Sequence, residues 1–204
     1  MSMLTGDDSM NLTLGLIKDN PQFLVFGAIA MVVIQGIMNS IGSTTFSREG
    51  KNFWIQRVLP IKAGDQIIGR VLACLVPQII AIVALLLTLA FVVKLGVIEM
   101  LIITLLGLLG SIPMAELGMI VDILRPLLVW DNPQKAMKQN LNVLIAMGVG
   151  VLYSGGLIFL VVNLLKKIDV NYVYLILASV FIISTLVFYL ILEKIIVRQF
   201  RDLE

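Results

Sequence analysis

Five long apolar stretches constrain this chain more than any other feature of its sequence. A bilayer core of about 30 Å requires about 20 apolar helical residues, and the five stretches, at about 22–43, 66–93, 98–121, 141–165 and 172–192, all reach that length. Hydrophobic residues make up 59% of the chain and charged residues 14%, against about 45 to 50% and about 25% in soluble proteins. The sequence therefore predicts an all-α, polytopic membrane helix bundle over residues 21–204, preceded by a polar external leader at 1–20.

The basic residues are concentrated on alternate connections, which predicts an orientation. Eleven lie in or beside the first and third connections and in the tail: Arg48, Lys51, Arg57, Lys62, Arg70, Arg125, Lys135, Lys138, Lys194, Arg198 and Arg201. The leader and the other two connections carry four: Lys18, Lys94, Lys166 and Lys167. Since cytoplasmic loops are enriched in Lys and Arg, we expect an external N-terminus and a cytoplasmic C-terminus. Five spans without a signal peptide fit a complete protein poorly, so we expect part of a longer one.

The longest polar segment between two apolar stretches is residues 47–60, SREGKNFWIQRVLP, which we call the 47–60 island. Its charged residues can face water: Arg48, Glu49, Lys51 and Arg57. Its apolar residues can lie in the membrane interface or against other helices: Phe53, Trp54, Val58 and Leu59. Gly50 interrupts the segment and Pro60 ends it, because proline lacks the backbone N–H. We expect a short interfacial helix that forms a contact surface, although the same residues also fit an ordinary loop with aromatic anchors.

Polar residues within the predicted spans are the next candidates: Gln35, Asn39, Gln78, Glu116 and Asn163. Glu116 is the most costly of them, and an ionisable group inside a span is a candidate functional residue. It also lies about two turns from the predicted cytoplasmic end, so the competing interpretation is that it reaches water or pairs with a basic neighbour. We favour this structural role.

Small residues recur at four-residue spacing in three spans. They are Gly36 and Ser40, then Gly107, Ser111 and Ala115, then Ala146, Gly150 and Ser154. Such faces let helices approach closely in lipid. We therefore predict helix packing at these positions.

The composition excludes several classes of function. The chain has no histidine, which removes His-based zinc sites and hydrolase triads, so no metal site is expected. The single Cys74 lies in an apolar stretch and is interpreted as a packing residue. Gly50-Lys51 is followed by Asn52 without a glycine-rich loop before it, so no ATP-binding P-loop is present. A net charge of +2 with scattered basic residues gives no reason to expect nucleic acid. An intramembrane enzyme would need facing acids, histidines or a nucleophile with a base, and Glu116 has no such partner.

Two stretches resemble a known family. The first carries Ser47-Arg48-Glu49-Gly50-Lys51, Phe53-Trp54, Leu59-Pro60-Ile61 and Gln66-Ile67-Ile68-Gly69-Arg70. The order of these elements resembles the order in which similar elements occur in the permeases of ABC-2 type exporters. The second stretch, the 122–140 connection, carries Asp122, Arg125, Pro126, Trp130, Asn132, Pro133, Ala136, Lys138, Gln139 and Asn140. It is similar to a branch of bacterial ABC exporter permeases common in Gram-positive bacteria.

The resemblance implies a role for each segment. The 47–60 island would be the cytoplasmic coupling element, docking in a groove of a separate ATPase subunit that binds ATP and Mg²⁺. Arg48, Glu49 and Lys51 would pair with charges on that subunit, and Phe53 and Trp54 would anchor the element in the membrane interface. The 122–140 connection would be a second cytoplasmic contact or a brace. The location implied is the bacterial plasma membrane, and the chain itself would bind no cofactor.

Family members of this branch are longer, with further spans before the first one here. The resemblance therefore implies a C-terminal portion of a permease that works with the remaining half or with a second copy. The alternative is a non-transporting accessory or immunity-type membrane protein, or a truncated permease fragment.

Overall fold

The computed structural model describes residues 21–138 and 140–201. Its helices are α1 (Pro21–Met38), α2 (Phe53–Val58), α3 (Ala63–Val92), α4 (Val97–Leu124), α5 (Pro133–Lys138), α6 (Leu141–Leu165) and α7 (Val170–Arg201). Two short 3-10 helices, Gly42–Thr44 and Ser47–Asn52, join α1 to α2. These residues contain no strand and include five helices long and apolar enough to cross a membrane. The predicted all-α bundle of five spans is confirmed; the predicted leader lies outside the described residues.

The helix boundaries differ from the predicted spans mainly in the first and last helices. The helix α1 ends at Met38, before residue 43, and the chain then turns through Gly42–Thr44. The helix α7 continues to Arg201, well past residue 192, because Leu192 and Ile196 are still fully buried. The polar residues after position 192 therefore extend a helix whose inner face stays in the core.

The helix α4 is the centre of the bundle and packs against α1, α3, α6 and α7. One apolar core joins α1, α4, α6 and α7 through residues such as Ile29, Ile103 and Phe181. A second core lies around the 3-10 helices and the ends of α3, α4 and α7, through residues such as Phe46, Ile67, Met119 and Ile196. Any movement of α4 must therefore disturb every other long helix.

Small residues let α1 approach α4 and α6, as the spacing predicted. A Cβ added at Gly107 would lie 2.8 Å from Val32 Cγ1 in α1. A Cβ added at Gly150 would lie 2.5 Å from Ile37 Cγ1. Ala146 and Ser154 are also buried on the same face of α6. The prediction of close helix packing is confirmed for these residues, whereas Ser40 lies beyond the end of α1 at Met38, so its predicted place on a helix face is wrong.

The outer surface of the long helices is strongly apolar. Phe91, Leu152 and Phe159 are 80%, 77% and 73% exposed, and large aliphatic side chains cover much of the remaining surface. A soluble protein rarely exposes such an extended apolar surface, whereas a lipid bilayer solvates it. With five candidate spans, the chain is a multi-pass membrane protein.

Candidate functional site

The 47–60 island, the 122–140 connection and the C-terminal part of α7 meet at one end of the bundle. The backbone N–H groups of Phe46 and Ser47 contact the side chain of Asp122, and Gln199 Nε2 donates to the carbonyl of Ile123 at 2.8 Å. These are the three segments in which the sequence concentrates its basic residues. The alternation of spans thus brings the basic segments together, as the predicted layout required.

Asp122 fixes the start of the island to the end of α4. Its Oδ2 accepts hydrogen bonds from the backbone N–H of Phe46 at 2.7 Å and of Ser47 at 3.0 Å. Its Oδ1 accepts from Ser47 Oγ and from Asn142 Nδ2, the latter at 2.9 Å. The residue is fully buried. Four donors around one carboxylate offset the loss of hydration that burial imposes on a polar group.

The 122–140 connection holds the island from a second side. Ser47 Oγ accepts from the backbone N–H of Leu127 at 2.9 Å, and the Ser47 carbonyl accepts from Trp130 Nε1 at 3.0 Å. Gly50 has φ +52° and ψ −127°, a conformation that residues with a Cβ rarely adopt. An added Cβ there would lie 2.6 Å from Trp130 Cζ2. Of the two roles that the resemblance implied for the connection, these contacts are those of a brace.

Arg70 ties the island to α3. Its guanidinium forms an ion pair with Glu49 and donates to the backbone carbonyl and hydroxyl of Thr45 at 3.0 and 2.8 Å. It also lies 4.2 Å above the centre of the Phe46 ring, within the range of a cation–π interaction. Glu49 was expected to face water and pair with another subunit. It pairs instead within the chain, because α3 begins close to the island.

Phe53 also differs from expectation. It is 3% exposed, and its ring meets that of Phe46 edge to face with centroids 6.1 Å apart. The ring therefore lies in the protein core and not in the membrane interface, so the anchoring role expected of it is wrong. Its neighbour Trp54 is 60% exposed and remains available for the interfacial or contact role.

Six other island residues form an outward surface, while the side chain of Arg57, expected to face water, lies outside the described part of the chain. Arg48, Lys51, Trp54, Val58, Leu59 and Pro60 are all exposed. Arg48 Nη2 donates to the carbonyl of Ile41 at 3.0 Å, which holds the guanidinium near the 3-10 helix Gly42–Thr44. We call Lys51, Trp54 and Val58 the outer face of the island. It combines a cation, an aromatic ring and an aliphatic side chain on a segment whose start is bound at Ser47 and whose Phe53 ring is buried.

Within the connection, the predicted residues have distinct positions. Arg125 is exposed and Pro126 half-buried, while the Arg125 carbonyl accepts from Asn142 Nδ2 at 2.7 Å. Asn132 Oδ1 accepts from the Gln134 N–H at 2.9 Å just before the short α5. The side chain of Pro133 lies outside the described part of the chain. These residues shape the connection, and Arg125 and Asn132 face outward.

Most polar residues at membrane depth have local structural partners. Gln78 Nε2 donates to the carbonyl of Val32 at 2.7 Å, and Asn39 Nδ2 donates to the carbonyl of Cys74 at 3.2 Å. Both bonds join α3 to α1 or to the turn after it. Asn163 donates within its own helix, to the carbonyl of Phe159 at 2.8 Å. Gln35 is exposed and lies in a shallow recess with Met31, Ile34, Met38 and Leu85.

Glu116 does not behave as expected. It is 2% exposed, so it does not reach water. Among the residues that the structure describes, it forms no ion pair and its Oε2 has no hydrogen-bond partner. The interpretation that it reaches water or pairs with a basic neighbour is therefore wrong. No group of three or more Cys, Asp or Glu side chains in the described ranges could hold a metal ion.

Sequence analysis missed Phe46 and Asn142 as members of this site. Phe46 lies between the predicted first span, which ends at about residue 43, and the island, and its N–H and ring organise the start of the island. Asn142 is the second residue of α6 and is 2% exposed. A buried amide so close to a helix start is a signal that could have found it. No family model, curated protein or solved structure matches the chain.

Proposed function

We propose that this chain is the membrane-spanning permease component of an ATP-driven ABC-2 type exporter in a bacterial plasma membrane. Its outer face, Lys51, Trp54 and Val58, contacts a separate ATPase subunit. The observation that carries the proposal is the bracing of the start of the island: Asp122 and Trp130 bind the backbone of Ser47, while the outer face stays exposed. A coupling element must be both accessible and stiff, and this arrangement supports both properties.

A force applied to the outer face has two defined routes into the membrane domain. Hydrogen bonds to Asp122 lead into α4, and the Glu49–Arg70 ion pair leads into α3. Since α4 packs against α1, α3, α6 and α7, a displacement at its end reaches the whole bundle. Closure of two ATPase subunits on ATP and Mg²⁺ would supply that force. The remaining permease half or a second copy of this chain would complete the pathway.

The chemistry of the outer face defines the partner surface that fits it. Trp54 supplies a large rigid side chain of the type that dominates binding energies at interfaces, and Val58 extends the apolar area. Lys51 and Arg48 add two cations at the rim. The matching surface on the ATPase is an apolar pocket bordered by acidic side chains, because rim charges steer association between complementary surfaces.

Affinity purification of the tagged chain from its native membranes in mild detergent, followed by mass spectrometry, tests the proposal. We expect an ATP-binding-cassette subunit to copurify with the wild type and to be lost with the double variant Lys51→Ala/Trp54→Ala. The matched control is Phe91→Ala/Lys94→Ala, which removes one exposed aromatic ring and one exposed cation at the end of α3 and should retain the subunit. Absence of any such ATPase from the wild type would contradict the proposal and favour an accessory or immunity-type protein or a permease fragment.

A further inference from the structure

An apolar groove opens on the side of the bundle between α1, α6 and α7. Its volume is about 220 Å³, and its walls include Phe23, Gly27 and Ala30 of α1 and Ser154, Ile158 and Leu165 of α6. One end of the groove is lined by Phe23, near the start of α1, and by Leu165, the last residue of α6. The other end is lined by Ser154. At 1.5 Å per residue, the wall from Ser154 to Leu165 is about 16 Å long. The groove is thus elongated along the membrane normal.

The walls of the groove suit an alkyl chain. All the lining side chains are apolar except that of Ser154. The Ser154 hydroxyl lies at the deep end, away from Leu165. Aliphatic and aromatic walls offer a bound molecule dispersion contacts and no hydrogen bonds along most of its length. A polar ligand would lose its hydration there without compensation.

A polar recess adjoins the shallow end of the groove. It is lined by Leu165, Lys166, Lys167, Ile168, Asp169 and Tyr172. Leu165 lines both the groove and the recess, so the two are adjacent. The recess contains two exposed ammonium groups and one carboxylate and therefore carries net positive charge. Tyr172 is 61% exposed, as is common for tyrosine at a membrane–water interface.

We infer that the groove and the recess together bind one anionic phospholipid of the surrounding bilayer. One acyl chain lies along α1 and α6 between Leu165 and Ser154. The phosphate and head group lie at Lys166 and Lys167. An apolar channel that ends at paired cations matches the polarity of such a lipid from chain to head group. Basic residues at the membrane surface attract anionic lipids. The inference is independent of the proposed exporter function.

Native mass spectrometry of the full-length protein in detergent tests the head-group part of the inference. Phosphatidylglycerol and phosphatidylcholine with identical acyl chains are titrated separately. At about 1 kcal/mol per lysine, two lysines should make phosphatidylglycerol bind roughly 30-fold more tightly. The variant Lys166→Gln/Lys167→Gln should abolish this preference while still binding both lipids. Equal affinity of the wild type for the two lipids, or a preference that survives in the lysine variant, would overturn the inference.

A second pair of variants tests the groove. Gly27 lines it, and an added Cβ at Gly27 would meet no atom within 4 Å, so Gly27→Leu should fill the groove without disturbing the fold. The matched control is Gly148→Leu in α6, where the position is equally open but does not line the groove. We expect Gly27→Leu to weaken the binding of both lipids at least tenfold and Gly148→Leu to weaken the binding of neither, with no loss of melting temperature in either variant. Unaltered lipid binding by Gly27→Leu would also contradict the inference.

Discussion

Asp122 is the residue on which the candidate site depends most. It is fully buried, and it binds two backbone N–H groups, one hydroxyl and one side-chain amide. Three of these donors belong to Phe46 and Ser47, which lie more than seventy positions earlier in the chain. The carboxylate is therefore a tertiary link between α4 and the island, and its role in the proposed coupling is to transmit displacement.

Replacement of this carboxylate should destabilise the protein. In Asp122→Asn one oxygen acceptor becomes an NH₂ donor facing other donors, which leaves buried groups unsatisfied. Such groups cost about 1 to 3 kcal/mol each, so we expect the free energy of unfolding in detergent to fall by at least about 1 kcal/mol. The control is Asp131→Asn, because Asp131 is 92% exposed and pairs only with Lys135 on the surface. Equal stability of the two variants would contradict the linking role of Asp122.

Gly50 is the second residue whose identity the site dictates. Its φ of +52° and its contact with the Trp130 ring both exclude a Cβ. We expect Gly50→Ala to lower the free energy of unfolding by about 1 to 3 kcal/mol, the usual cost of such a strained conformation. The matched change Gly69→Ala, within α3 where nothing lies within 4 Å, should raise it by about 0.5 to 1 kcal/mol. Thermal or denaturant unfolding of both variants in the same detergent measures the difference. Changes of the same sign in the free energy of unfolding of the two variants would contradict this interpretation of Gly50.

At the scale of the elements, α1, α4 and α6 are held together by close backbone approach. Gly36 packs on Ser111 and Met114, Gly107 on Val32, and Gly150 on Ile37. In lipid, where burial of apolar surface gives little driving force between helices, such contacts provide the packing energy. The small residues therefore determine how the spans associate.

A methyl group at one of these contacts should loosen the bundle. Gly150→Ala would place its Cβ 2.5 Å from Ile37 Cγ1 and 3.0 Å from Ile37 Cβ, so the side chain cannot simply rotate away. We expect a loss of about 1 to 3 kcal/mol, typical of overpacking. Gly148→Ala, two positions earlier and open to the surroundings, serves as the control and should not be destabilised. The measurement is the melting temperature of each purified variant. The prediction is wrong if Gly150→Ala melts at the same temperature as Gly148→Ala.

The elements differ in how far the sequence predicts them. The long helices follow from the length of the apolar stretches, because any such stretch must satisfy its backbone internally in a membrane. The fold of the island does not follow from its own residues. Glu49, Phe53 and Gly50 are positioned by Arg70, Phe46 and Trp130, and these pairings depend on how separate helix ends meet. The burial of Glu116 was not predicted for the same reason, because it depends on which helices pack against α4.

At the scale of the whole molecule, the basic segments lie at one end and Lys166 and Lys167 follow α6, which leads away from that end. Under the exporter proposal the end with the island is cytoplasmic. In a Cys74→Ser background, single cysteines at positions 51 and 167 should then react differently with a membrane-impermeant maleimide. We expect Lys167→Cys to be labelled in intact cells and Lys51→Cys only after permeabilisation. The opposite pattern would reverse the orientation and remove the ATPase from reach of the island.

Site-specific photocrosslinking in native membranes can show whether the outer face of the island contacts an ATPase subunit. A photoreactive amino acid is placed at position 54 on the outer face of the island, and at position 172 as a control that is equally exposed. We predict a crosslink from position 54 to an ATP-binding-cassette ATPase, identified by mass spectrometry, and none from position 172. If position 54 crosslinks only to lipid or to proteins without an ATPase domain, the island is not a coupling surface and the exporter proposal is contradicted.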